Sequence, residues 1–161
     1  MITVALASQA DLADIIDLFH QIYQYYTGVE SLSRDDIATY VEHNLFQAHC
    51  GVQVVLARAG TTPLGIATFS VMYPGPNATG QLFMKELFTT EEARGKGAGK
   101  ALMKFLARYA IEHGCSRFDW TAETTNPNAL AFYDYLGAPR LQEKVYYRFA
   151  DEHLHAFANE A

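Results

Sequence analysis

Apolar positions recur along this chain with two different periods. Leu12, Ile15, Ile16, Phe19, Ile22 and Tyr23 return every three or four residues, which is the spacing of one face of a helix. Ser8 precedes this run and Asp11 follows three residues later, the pair that closes a capping box at a helix start. Ser33 and Asp36 repeat the device ahead of Ile37, Tyr40 and Val41, which predicts a second helix. Shorter apolar runs predict strands over residues 2–7, 52–58, 65–72, 81–88, 117–122 and 145–149. The turn Ala59-Gly60-Thr61-Thr62-Pro63 joins the second strand to the third, and a loop follows at Tyr73-Pro74-Gly75-Pro76-Asn77. Helical spacing resumes from Gly99 to about His113, with Leu102, Phe105, Leu106, Tyr109 and Ala110 on one face. Ala129, Phe132, Tyr133 and Leu136 share a face of a short helix that Gly137 stops, and residues 151–159 predict a tail helix. Strands come first as neighbours and later alternate with helices, which predicts an α/β or α+β fold, a mixed sheet covered by helices.

With 161 residues, half of them hydrophobic and 19% charged, the chain is expected to form a single domain, 1–161, with a real core. The net charge of −6 and the lack of a basic run argue against nucleic acid as a partner and favour a cationic or neutral substrate. No apolar run has the length of a membrane span. The N-terminus lacks the charged lead and apolar centre of a signal peptide, so a cytoplasmic location is expected. Cys50 and Cys115, two and far apart, read as reduced, buried thiols. The six histidines show no ligand spacing, and no metal is expected.

The candidate chemistry begins at Arg94-Gly95-Lys96-Gly97-Ala98-Gly99, between a strand and a helix. A glycine-rich turn that opens a helix points several backbone N–H groups in one direction, where the helix dipole adds positive charge. Such a turn takes an anion, most often a phosphate or pyrophosphate. The P-loop pattern fails because Ala101 stands where a magnesium-binding hydroxyl is needed. The dinucleotide pattern fails because its third glycine would fall at Lys100 or Leu102.

Read as Arg94, Gly97 and Gly99, the turn resembles the acetyl-coenzyme A signature of the GCN5-related N-acetyltransferase (GNAT) family. A second stretch, Asn126-Pro127-Asn128-Ala129-Leu130-Ala131-Phe132-Tyr133-Asp134-Tyr135-Leu136-Gly137-Ala138, is similar to the family's later motif, with Ala138 in place of its last aromatic. The resemblance runs from Ile2 to about Phe149 and is specific from Leu82 onward. It implies a mostly antiparallel central sheet whose middle two strands run parallel and splay apart to admit acetyl-CoA as co-substrate.

The resemblance also implies roles. The backbone of Arg94, Gly95, Lys96, Gly97, Ala98 and Gly99 would anchor the pyrophosphate. A backbone N–H around Leu87, Phe88 and Thr89 would face the thioester carbonyl. Tyr133 would bind at the cofactor's sulfur and act as general acid for the leaving thiolate. An alkyl ammonium, with a pKa near ~10.4, must lose a proton before it attacks. Glu86 is the candidate base; the alternatives are a surface carboxylate paired with Lys85, or a water relay. Asn126 either contacts the cofactor or orders the turn after its strand. Tyr25 and Tyr26 either line the acceptor site or simply pack.

Within the family, Val145-Tyr146-Tyr147-Arg148-Phe149 and the tail with Leu154 resemble the diamine and thialysine acetyltransferase branch. That branch carries a Glu-Asp pair where this chain has Lys85-Glu86. A lysine there repels a diamine and favours an amine that carries its own carboxylate. The resemblance implies direct transfer to a primary amine of a small molecule, amino acid or polyamine-like, by a homodimer. A protein-lysine or N-terminal acetyltransferase and a non-catalytic acyl-CoA binding domain are the rival expectations.

Overall fold

Both capping boxes form. The Ser8 backbone N–H donates to Asp11 Oδ2 at 2.8 Å, and the Asp36 N–H donates to Ser33 Oγ at 3.1 Å. The first box opens a 3-10 turn that leads into α1, Leu12–Thr27; the second opens α2, Arg34–Leu45. The computed structural model describes residues 1–28 and 32–160 and divides into two compact units, Met1–Thr121 and Ala122–Ala161.

The first unit is built on a sheet whose strands lie in chain order: β1 Ile2–Leu6, β2 Gln53–Ala59, β3 Thr62–Met72, β4 Gly80–Thr89 and β5 Cys115–Asp119. β1 to β4 are antiparallel, and β4 and β5 run parallel, joined through α3, Ala98–Glu112. Alternation along the strands splits the core into two layers. Val54, Leu56, Ile66 and Phe88 meet Ile15, Leu18, Phe19, Ile37 and Val41 of α1 and α2. On the opposite face Phe69 takes the edge of the Tyr109 ring of α3 at 4.9 Å, and the Tyr109 hydroxyl donates to Gln53 Oε1 at 2.9 Å. Arg58 of β2 fastens the sheet to the start of α1, pairing with Asp11 at 2.6 Å and with Asp14.

Three strand expectations change. β3 begins at Thr62 rather than Gly65, because Leu64 bulges between the pairs Arg58↔Pro63 and Ala57↔Gly65. Pro63 offers no N–H to a ladder and is tolerated at this strand start beside a bulge. β5 begins at Cys115 rather than Arg117, since Gly114, at φ +69°, turns the chain from α3 directly into the strand. Residues 145–149 read as a strand but belong to no ladder among the described residues, and a strand exists only where a second row of backbone groups faces it. The parallel pair therefore lies at the edge of the described sheet rather than in its middle. Cys50 and Cys115 are free and partly exposed, not fully buried.

The second unit contains α4, Pro127–Tyr135, and α5, Asp151–Ala158. Arg140 forks onto Asp134 at 3.1 and 2.6 Å beyond the end of α4. Phe149 stacks on Phe157 of α5 at 4.5 Å. Among its described residues none is buried.

Candidate active site

One extra residue in β4 determines how the site is laid out. Thr68 of β3 pairs with Glu86 and the next residue, Phe69, pairs with Met84, so Lys85 is bulged out of the ladder. A bulge restarts the in-and-out alternation one residue late. Glu86 thereby shares the α1 face with Phe88, while Lys85 stays exposed. The ladder to β5 ends at Phe83↔Asp119, yet β4 continues to Thr89 with, among the described residues, β3 on one side only. Leu87, Phe88 and Thr89 therefore lie on a strand that is open toward the parallel side. This is the splay that the resemblance implied.

Glu86 is half-buried, and the Tyr26 hydroxyl donates to its Oε1 at 3.3 Å. Burial pushes its pKa above the ordinary carboxyl value. The bonds from Tyr26 and from the Leu87 N–H, and the charge of Lys85, pull the other way and do not offset it. Glu86 forms no ion pair with Lys85 among the described residues, so the surface-pair alternative lacks its geometry. Nearby, burial raises the Tyr23 phenol, with Tyr40 and then Glu86 adding to the effect. The Tyr23 ring stands edge-on to Tyr40 at 6.4 Å.

Tyr25 and Tyr26, left between lining and packing by the sequence, close the α1 side of this region. Tyr25 stands edge-on to Tyr26 at 5.3 Å and to Phe88 at 6.3 Å, and the Arg94 guanidinium lies over the Tyr25 ring at 5.4 Å. The last turn of α1 thus touches the carboxylate, the open strand and the glycine turn at once. Nothing local in the sequence signals these contacts, since Tyr26 and Glu86 are separated by 60 residues.

The turn of Arg94, Gly95, Lys96, Gly97, Ala98 and Gly99 is shaped for an anion. The first bond into α3 runs from the Ala101 N–H to the Gly97 carbonyl at 3.0 Å, so the N–H groups of Gly97, Ala98 and Gly99 donate to no backbone carbonyl among the described residues. Gly95 at φ +73° and Gly97 at φ +93° hold the left-handed conformations that glycine allows. A Cβ on either would meet nothing within 4 Å, so the face of the turn is open to a ligand. Arg94 and Lys96 are exposed beside it. These features fit a pyrophosphate such as that of acetyl-CoA.

In the second unit, Asn126 Oδ1 accepts from the Ala129 N–H at 3.1 Å and caps α4, the geometry of the turn-ordering alternative. Tyr133 is half-buried on the α4 face it shares with Ala129, Phe132 and Leu136, its ring 5.2 Å from Phe132.

Comparison with known proteins agrees with this geometry. Residues 13–138 match the family model described as "Acetyltransferase (GNAT) family". The chain is 32% identical to L-ornithine N5-acetyltransferase NATA1 of Arabidopsis thaliana, over 57% of this chain and 40% of that protein. It is 25% identical to thialysine N-epsilon-acetyltransferase of Mus musculus, over 94% of both. An integron cassette protein from the mobile metagenome of V. cholerae has a structure similar to this one at a TM-score of 0.93, with 42% identity over 99% of this chain and 98% of that one. On the family match, the chain belongs to the GNAT family, whose members use acetyl-CoA as co-substrate, and is an acetyl-CoA-dependent N-acetyltransferase.

Proposed function

We propose that the protein acetylates the side-chain amine of a basic amino acid, or a small amine of the same kind, in the cytoplasm and as a homodimer. The observation that carries this reading is Glu86, a half-buried carboxyl held by Tyr26 on β4 beyond its last pair with β5. A carboxyl whose pKa burial has raised is a better match for a base working near neutral pH. Two relatives are named for ornithine and thialysine, amino acids with a second amine. Lys85, exposed beside Glu86, would attract the carboxylate of such an acceptor and repel a diamine.

Acetyl-CoA supplies the acetyl group and a thiolate leaving group. Glu86, directly or through one water, takes a proton from the acceptor ammonium and leaves a nucleophilic amine. A backbone N–H of Leu87, Phe88 or Thr89 holds the carbonyl oxygen as charge gathers there. Tyr133 delivers a proton to the sulfur. The Gly97, Ala98 and Gly99 N–H groups, with Arg94, Gly95 and Lys96, hold the pyrophosphate. Asn126 orders the start of the helix that carries Tyr133. No thiol intermediate is needed, since Cys50 and Cys115 lie outside both motifs.

The test is release of coenzyme A from acetyl-CoA against polyamines, basic amino acids, aminoglycosides and a lysine peptide. Turnover of basic amino acids over diamines is expected. Preference for diamines would overturn the role of Lys85, and turnover of the peptide alone would overturn the small-molecule acceptor.

A further inference from the structure

Arg94 enters the glycine turn with a fixed backbone and an exposed side chain. Its N–H donates to the Glu91 carbonyl at 3.3 Å. Glu91 and Glu92 lie within three residues of it, yet Arg94 forms no ion pair among the described residues. Its guanidinium lies instead over the Tyr25 ring, 5.4 Å from the centroid. A long cationic side chain without a partner samples many rotamers, and ordering it costs free energy when a ligand arrives. A ring attracts the cation through its face and uses none of the N–H donors, so these remain for an anion.

Tyr25 is itself held in place. Its ring stands edge-on to Phe88 at 6.3 Å and to Tyr26 at 5.3 Å. Phe88 belongs to the core between the sheet and α1, whereas Tyr25 remains 47% exposed. The ring is thus anchored by the sheet and still has room for a cation. Tyr25 and Tyr26 are neighbours in sequence, but their contacts diverge. The Tyr26 hydroxyl reaches Glu86, and the Tyr25 ring reaches Arg94.

We infer that Tyr25 is a positioning residue for the acetyl donor: its ring holds the Arg94 guanidinium beside the glycine turn, where the pyrophosphate of acetyl-CoA binds. The N–H groups of Gly97, Ala98 and Gly99 are placed by the backbone and need no such support, but a flexible cation does. Holding it before the ligand arrives lowers the ordering cost of binding. Adjacent tyrosines of α1 thereby serve different substrates, Tyr25 the donor through Arg94 and Tyr26 the acceptor through Glu86. The inference rests on the pyrophosphate seat proposed above and adds to it a residue that lies outside both motifs.

Calorimetric titration of the full chain with coenzyme A tests it, in a cycle of Tyr25→Leu, Arg94→Gln and the double variant. Leucine keeps an apolar side chain against Phe88 and removes the ring face; Tyr25→Phe keeps the face and removes only the hydroxyl. Tyr25→Leu should lower the affinity about two- to fivefold, as expected of an exposed cation on a ring. Tyr25→Phe should restore it, and Tyr25→Leu should cost nothing further once Arg94 is glutamine. In turnover assays the loss should fall on the KM for acetyl-CoA, not on kcat or the acceptor KM. Equal losses from Tyr25→Leu with and without Arg94 overturn the inference, because the ring then acts on something other than the guanidinium. A loss from Tyr25→Phe as large as that from leucine also overturns it, and so does a rise confined to the acceptor KM. A loss for Arg94→Gln with none for Tyr25→Leu overturns the positioning role and leaves the pyrophosphate seat standing. No loss for Arg94→Gln overturns both.

Discussion

Replacing Tyr26 with phenylalanine removes one hydroxyl and keeps the ring that packs on Tyr25. That hydroxyl donates to Glu86 Oε1 at 3.3 Å, and it favours the ionised carboxylate. Hydrogen bonds to charged groups contribute ~1.5–3 kcal/mol. This one is long and partly solvated, so about 1 kcal/mol is the reasonable figure. Its loss raises the Glu86 pKa further, and at any pH below that value the ionised fraction falls about fivefold. If Glu86 is the base, kcat/KM should fall about fivefold on the acid limb of its pH profile and stay unchanged on the plateau above it. The assay is coenzyme A release with the best amino acid acceptor, from about pH 5 to about pH 9. A fall of equal size at every pH would show that Tyr26 contacts the acceptor instead. A limb that moves to lower pH would refute the sign of the argument.

Glu86→Gln should raise stability at neutral pH while abolishing turnover. Burial lifts the folded pKa above the ordinary 4.5, so stability falls as pH rises from there through the folded value. In urea titrations the gain of the glutamine variant should vanish at or below that ordinary value. Gly97→Ala forces a side chain into φ +93° and should cost ~1–2 kcal/mol in thermal unfolding, with a raised KM for acetyl-CoA. At Gly65 an added Cβ would lie 2.6 Å from the Phe88 carbonyl oxygen, so Gly65→Ala should cost ~1–3 kcal/mol and lower kcat by displacing the open part of β4. Lys85→Glu should improve diamine turnover in the amine panel; no change would sink the charge argument.

Much of this molecule is legible from local pattern. The α1 stripe, both capping boxes and the glycine turn are each specified by residues within a few positions of one another, and they form as read. Leu18 is buried although it falls outside the stripe read from the sequence, because α1 is covered by α2 on one flank as well as by the sheet. What stays hidden is set by pairing across the chain. The Lys85 bulge has no signature in β4 itself; it exists only relative to Thr68 and Phe69. The contact of Tyr26 with Glu86 depends on where α1 ends above the sheet. Residues 145–149 show the converse, a strand pattern without a ladder, since alternation encodes two faces and says nothing about which neighbour supplies the hydrogen bonds.

The bulge at Lys85 also bears on how this enzyme can change over evolutionary time. Substitution at position 85 leaves the strand's phase intact, and on the proposed acceptor site it changes only the charge next to Glu86, so the acceptor range would drift there one residue at a time. Deletion is a different event. With Lys85 gone the ladder closes without slipping, because Met84 still faces Phe69 and Glu86 still faces Thr68, so the carboxylate keeps its place on the α1 face. The same position is therefore permissive to changes in identity and to loss of the extra residue. A library that samples both at residue 85 should return active variants of both kinds.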